Sequence, residues 1–138
     1  MVKKQKIVIT TGKRKNAVAR AKVISGTGKI KINSKPLEAW GNEFLRMRIK
    51  EPLILAGDVV KKVDIDINVK GGGTTGQTDS IRMTIARGLV NFLRDKNLRQ
   101  KFLEYDRNLL VFDVRRTEPR KPSRSRKGAR RHKQRSKR

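Results

Sequence analysis

The sequence predicts an α+β domain, a mixed or antiparallel sheet packed with helices, continued by an extended basic tail. Three observations predict it. Val63, Ile65, Ile67 and Val69 alternate strictly with Asp64, Asp66, Asn68 and Lys70, the two-residue period of a half-buried strand. Ile81, Ile85, Leu89, Phe92 and Leu93 recur at the spacing of an amphipathic helix. From Arg115 onward no apolar period exists: Ala129 is the only aliphatic residue, and Pro119, Pro122 and Gly128 interrupt any helix.

The remaining elements follow in chain order. Lys6 to Thr10 reads as a short strand, and Gly12-Lys13-Arg14-Lys15-Asn16 as a basic turn. Between Val18 and Ile24, Ala19, Ala21 and Val23 fall on one face and Arg20 and Lys22 on the other, a strand with a small-residue core side and a cationic outer side. Ser25-Gly26-Thr27-Gly28 is a turn, and Ile30 and Ile32 alternate with Lys29 and Lys31 in the next strand. Together these segments suggest an antiparallel meander. Ser34 is placed to cap a helical turn near Pro36, and Trp40 to pack in the core. Asn42 opens a helix carrying Phe44, Leu45, Ile49, Leu53 and Ile54, which Pro52 is expected to kink and Gly57-Asp58 to end. After the strand over 63–70 comes a glycine-rich loop, Gly71 to Gly76, then the helix already noted, ending near Asp95. Leu98, Phe102 and Leu103 suggest one more short helix, and Leu109 to Phe112 a last edge strand.

The 138 residues fit one domain with a formal net charge of +25. That charge is unevenly placed. Residues 1–35 hold 11 Lys and Arg and no acid, and residues 36–114 hold 13 bases against 11 acids. The last 24 residues hold 13 bases against Glu118 alone. A near-neutral core flanked by two cationic segments attracts polyanions, of which nucleic acid is the commonest. The competing readings are a solvated charge run, a nuclear-import tag, or a free-standing DNA-compacting protein. Residues 1–114 are therefore read as a globular RNA-binding domain and 115–138 as a tail without fold of its own until RNA neutralises it. Fully extended, that tail would reach roughly 80 Å, against a radius of gyration near ~13 Å for the domain. The absence of cysteine excludes disulfides and thiolate metal sites and permits an intracellular setting. The longest apolar runs, Ile7-Val8-Ile9 and Leu53 to Ala56, are too short for a signal peptide or a membrane span.

Gly71-Gly72-Gly73-Thr74-Thr75-Gly76 matches G-x-G-x-x-G between a strand and a helix, with Asp95 19 residues further on. A dinucleotide site is nevertheless rejected. That motif follows the first strand of a parallel βαβ unit, here it follows the fourth candidate strand, and no second buried strand comes after the helix. What remains is the physics of glycine allowing a phosphate near the backbone, at a helix start whose free N–H groups favour an anion. A plain strand-to-helix turn is the alternative. Lys13, Arg14 and Lys15, with Arg20 and Lys22, could form a cationic patch beside that loop; a solvated face is again the alternative. His132, the sole histidine, lies in the tail without a carboxylate or second ligand near it in sequence, so an RNA contact suits it better than catalysis or metal binding. Asp64 and Asp66 read as the solvated face of their strand. No Walker, nucleophile-elbow or zinc spacing is present. Aromatic residues make up 4% and none lies in the tail, which argues for recognition through phosphates and RNA shape rather than base stacking.

Four stretches resemble one family. They are Gly12-Lys-Arg-Lys-Asn-Ala-Val-Ala-Arg20; Gly26-Thr-Gly-Lys-Ile-Lys-Ile-Asn33; Gly71-Gly-Gly-Thr-Thr-Gly-Gln77 running on to Ile81-Arg82 and Ile85-Ala-Arg-Gly-Leu89; and the basic end Ser136-Lys137-Arg138. In this order they resemble the ninth protein of the small ribosomal subunit, the universal S-nine family. The spacing from Asp106-Arg107 to Arg116-Thr117-Glu118-Pro119 is similar to the archaeal and eukaryotic branch. Val114 stands where that branch often has proline, and the closing Ser-Lys-Arg looks more like the bacterial ending.

The resemblance implies the α+β fold called ribosomal-protein S-five domain-two-like, and a structural, non-enzymatic role in translation in the cytoplasm. It implies a place in the head of the small subunit, against small-subunit rRNA and neighbouring head proteins, with no membrane, cofactor, metal or homo-oligomer. The expected rRNA-binding residues are Lys13, Arg14, Lys15, Arg20, Lys22, Gly71, Gly72, Gly73, Thr74, Thr75, Gly76, Gln77 and Arg82 in the domain. In the tail they are Arg115, Arg116, Arg120, Lys121, Arg124, Arg126, Lys127, Arg130, Arg131, His132, Lys133 and Arg135. The tail is expected to reach the peptidyl site, where Lys137 and Arg138 would contact the tRNA anticodon stem-loop.

Overall fold

A computed structural model describes residues 4–130 and Ser136. Strands β1 (Ile7–Arg14), β2 (Ala17–Ser25), β3 (Ile30–Ile32), β4 (Lys35–Pro36) and β5 (Val63–Lys70) form one sheet in the order β1-β2-β5-β3-β4. Helices α1 (Glu43–Ala56), α2 (Thr74–Leu93) and α3 (Lys96–Tyr105) pack with it. The architecture is α+β with a mixed sheet.

The sheet departs from the expected meander after β2. Strand β5 inserts between β2 and β3, pairing antiparallel with β2 and parallel with β3. The crossover from β3 through α1 brings β5 back into the middle of the sheet, where it buries Val63, Ile65, Ile67 and Val69 on the helix-covered face. Its neighbours supply the same face, Ala17, Ala19, Ala21 and Val23 from β2 and Ile32 from β3. Strand β1 extends through Gly12 to Arg14, so the basic turn shrinks to Lys15-Asn16.

Helix α2 lies on β1 and β2, with α1 on its other side. It is buried on more sides than an amphipathic helix would be: Thr78, Ser80, Arg82 and Thr84 are as covered as Ile81, Ile85 and Leu89. Its buried hydroxyls are satisfied locally. Thr78 Oγ1 donates to Thr74 C=O at 2.8 Å, and Ser80 Oγ to Gln77 C=O at 2.7 Å. Thr84 and Thr10 exchange bonds between helix and strand, each hydroxyl donating to the other's carbonyl at 3.0–3.1 Å. Gly12 makes this close approach possible, because a Cβ there would lie 2.2 Å from the Ser80 carbonyl oxygen.

Helix α1 begins as expected, with the Asn42 side chain accepting from Leu45 N–H at 3.0 Å, and ends at Gly57, whose φ is 69°. Leu45, Ile49 and Pro52 face inward, whereas Phe44 and Ile54 are exposed. Trp40 is half-buried, its indole N–H directed at Thr78 Oγ1. Asp95 caps α3, which buries Leu98 and Phe102.

Two local expectations fail. Ser34 is not a cap: it has φ 68° in the turn between β3 and β4, and the short 3-10 turn over Leu37–Ala39 has no side-chain cap. Residues 109–112 are not a strand. A 3-10 turn over Arg107–Leu109 buries Leu109, and the chain meets the sheet edge at a single bridge, Asp113 beside Arg14. The Arg87 guanidinium holds this segment, donating to Leu110 C=O at 2.8 Å and Thr11 C=O at 3.0 Å. From Val114 to Arg120 the chain has no regular structure, and around 121–129 it closes a small loop through Ser123 N–H to Ala129 C=O at 2.8 Å.

Candidate RNA interface

The glycine loop and the β1–β2 hairpin meet, as expected. Gly71 and Gly72 take φ of 78° and 65°. A Cβ on Gly71 would lie 2.5 Å from the Asn16 carbonyl oxygen, and one on Gly72 3.0 Å from Ala17 N. Both positions need glycine, for backbone shape and for the contact. The loop is shorter than its motif: α2 begins at Thr74, so Thr74, Thr75, Gly76 and Gln77 form its first turn. Gly73 caps the helix without a side chain, leaving its first N–H groups without a side-chain partner, while Gln77 Nε2 donates back to Gly71 C=O at 3.0 Å. Gly71 to Thr75 are all exposed.

The basic residues around this loop divide into two groups. Strand alternation sends Lys13 to the outer sheet face with Arg20 and Lys22, all three exposed, and Lys15 sits exposed in the hairpin turn. Arg14 points the other way, into a cleft that also holds Arg48, Asp79, Arg82, Asp106, Asp113 and Arg115. There Arg14 faces Asp113 at 3.3 Å and Asp79 at 4.0 Å, and Arg48 meets Asp79 at 2.8 Å. Arg82, only 8% exposed, pairs with Glu51 and with Asp106 at 3.0 Å. Arg14 and Arg82 are thus paired within the domain, unlike the exposed Lys13, Lys15, Arg20 and Lys22. Both guanidiniums are held by carboxylates inside the domain, and removing them from those partners would strand buried charge. Their work is to tie α1, α2 and the segment after α3 together.

Arg115 is exposed but bound to Asp113, Nη2 to Oδ2 at 2.6 Å and backbone N to Oδ1 at 2.9 Å. The Arg115 guanidinium, its backbone N–H and Arg14 hold the Asp113 carboxyl well below the usual carboxylate range. The same pairing pushes the Arg115 guanidinium up. Arg116, Arg120, Lys121, Arg124, Arg126, Lys127 and Arg130 are exposed. Arg131, His132, Lys133, Arg135, Lys137 and Arg138 lie outside the described residues.

One acid does more than its place on a solvated strand face suggests. Asp64 Oδ1 accepts N–H bonds from Thr27, Gly28 and Lys29 at 2.8–3.0 Å, which holds its carboxyl below its ordinary value. It shapes the turn before β3. The available signal was the Ser25-Gly26-Thr27-Gly28 turn itself, whose free N–H groups need an acceptor.

Among the described residues no cluster of His, Cys, Asp and Glu is arranged to hold a metal, and no helix is long and apolar enough to cross a membrane. What the surface offers is exposed cation, a glycine-built turn leading into an uncapped helix start and a basic C-terminal segment, a combination that suits a nucleic-acid-binding α+β protein.

Comparison with known proteins makes this specific. The family model described as Ribosomal protein S9/S16 matches residues 12–138, and the chain belongs to that family. It is similar to "Small ribosomal subunit protein uS9" of Methanococcus vannielii, 48% identical over 131 residues, covering 95% of this chain and 98% of the relative. The protein of the same name from Methanococcus maripaludis (strain S2 / LL) is 50% identical over the same shares. As a member of this family the chain is a structural, non-enzymatic constituent of the small ribosomal subunit, at work in translation.

Proposed function

We propose that the chain is a head protein of the small subunit, with the S-five domain-two-like fold, and that it divides its work between domain and tail. The domain binds small-subunit rRNA through Lys13, Lys15, Arg20 and Lys22 and the turn Gly71 to Thr75, beside neighbouring head proteins. The tail cations Arg115 to Arg135 lie along rRNA, ordering as phosphates neutralise them. Lys137 and Arg138 reach the peptidyl site and contact the anticodon stem-loop of its tRNA.

One observation carries the reading: a member of this family keeps exposed cation at the hairpin and in the tail while the core between them is near neutral. The open α2 start and the positive φ at Gly71 and Gly72 suit phosphate approach to the backbone.

Small subunits assembled with a chain ending at Ser136 test the division of labour. They are expected to form normally and to bind peptidyl-site tRNA more weakly, by roughly tenfold for each charge-assisted hydrogen bond that Lys137 and Arg138 no longer supply. Failed assembly would show that the last residues serve rRNA binding instead.

A further inference from the structure

The helices cover one face of the sheet and leave the other open. The strand register places Lys13, Val18 and Lys70 in one row across that open face and Thr11, Arg20 and Asn68 in the next. A third row runs Ile9, Lys22, Asp66 and Lys31. Lys13, Arg20, Lys22, Lys31 and Lys70 are all exposed. Among the described residues none of these five makes an ion pair within 4.0 Å, whereas Arg14, Arg48, Arg82 and Arg115 all do. The fold has thus sorted its cations: the four arginines of the cleft are paired with carboxylates, and the cations of the open face, with Lys13 at the cleft's border, are not. Of the two acids of β5 on that face, Asp64 is turned to the backbone of 27–29, which leaves Asp66 as the outward carboxylate.

Resting on the rRNA-binding reading above, we infer that the open sheet face is itself an RNA-docking surface. In it Lys70 and Lys31 act with Lys13, Arg20 and Lys22 on a sugar-phosphate backbone laid across the strands. The face continues into the glycine turn, since Lys70 is followed directly by Gly71. Lys22, Lys29 and Lys31 line a shallow hollow at its β3 side, together with Ile24, Asp64 and Asp66. No aromatic residue stands in these rows, so the surface has nothing on which to stack a base. It recognises the phosphate backbone, and it is indifferent to base identity. Alternate residues on a strand lie about 6.6 Å apart on one face, so adjacent rows present charge at regular steps.

The test is equilibrium binding of the full-length chain to small-subunit rRNA across a potassium chloride titration. The wild type is compared with a Lys31→Gln/Lys70→Gln double variant and a Lys50→Gln/Lys96→Gln double variant that removes equal charge from the exposed helical side. The sheet-face variant is expected to flatten the slope of log affinity against log salt by about 1.4–1.8, and to lose on the order of tenfold in affinity at 0.1 M salt. The helical-side variant should keep the wild-type slope. Equal behaviour of the two variants would overturn the docking surface while leaving rRNA binding intact. A wild type that does not bind would overturn the rRNA-binding reading and this inference with it. All four lysines are exposed, and unfolding curves recorded alongside confirm that each variant is folded.

Discussion

Asp64 shows how much one side chain can decide locally. Its oxygen collects three backbone N–H groups of the turn before β3, and those bonds hold the carboxyl below the ordinary aspartate value. Because the folded value is the depressed one, the contribution to stability is present above about pH 4 and is lost as pH falls through the folded value. Asp64→Asn is expected to lower the melting temperature by a few degrees at neutral pH and to remove part of the acid sensitivity. In the wild type, the Thr27, Gly28 and Lys29 amide signals should titrate together, with a midpoint below that of an ordinary aspartate. A midpoint at or above the ordinary carboxylate value would contradict the role given to Asp64. At this scale alternation alone is enough to place Lys13, Arg20 and Lys22 on the surface. It does not reveal that Arg14 and Arg82 are committed, because Asp79, Asp106, Asp113 and Glu51 are distant in sequence from one or both of them.

At the scale of elements, the β1–α2 contact depends on the absence of a side chain at Gly12. A Cβ there would meet the backbone oxygen of Ser80 and the backbone nitrogen of Thr84, at 2.2 and 2.9 Å, and neither can swing aside. Gly12→Ala is expected to destabilise the domain by about 1–3 kcal/mol, read as a lowered midpoint in chemical denaturation. An unchanged midpoint would mean that helix and strand are not as close as the Thr10–Thr84 exchange indicates. Most elements were legible: β2, β5, α1 and α3 follow from periodicity and caps. The order of strands was not. Alternation tells which face of a strand is buried but not which strand lies beside it, and the central place of β5 is set by a crossover through α1. The polar residues of α2 hid its burial for a related reason. Thr78, Ser80 and Thr84 satisfy their hydroxyls on carbonyl groups within the helix or on β1, so polar composition there does not mean exposure.

At the scale of the whole molecule, the fold separates committed charge from free charge. Ion pairs and the Arg87 bonds hold the segment up to Asp113 against the domain. From Arg116 to Lys127 the chain presents exposed cations with little to pack. Charge counting alone locates the two basic segments, and the peptidyl-site destination proposed for the tail rests on family resemblance. A protein built this way should owe most of its affinity to counterion release. With 6–10 phosphate contacts, affinity for small-subunit rRNA is expected to fall about 10³–10⁵-fold between 50 and 200 mM salt. That salt titration, on the full chain and its rRNA, decides whether phosphate neutralisation dominates binding. A steep log-linear fall is the predicted result, and a flat response would contradict it.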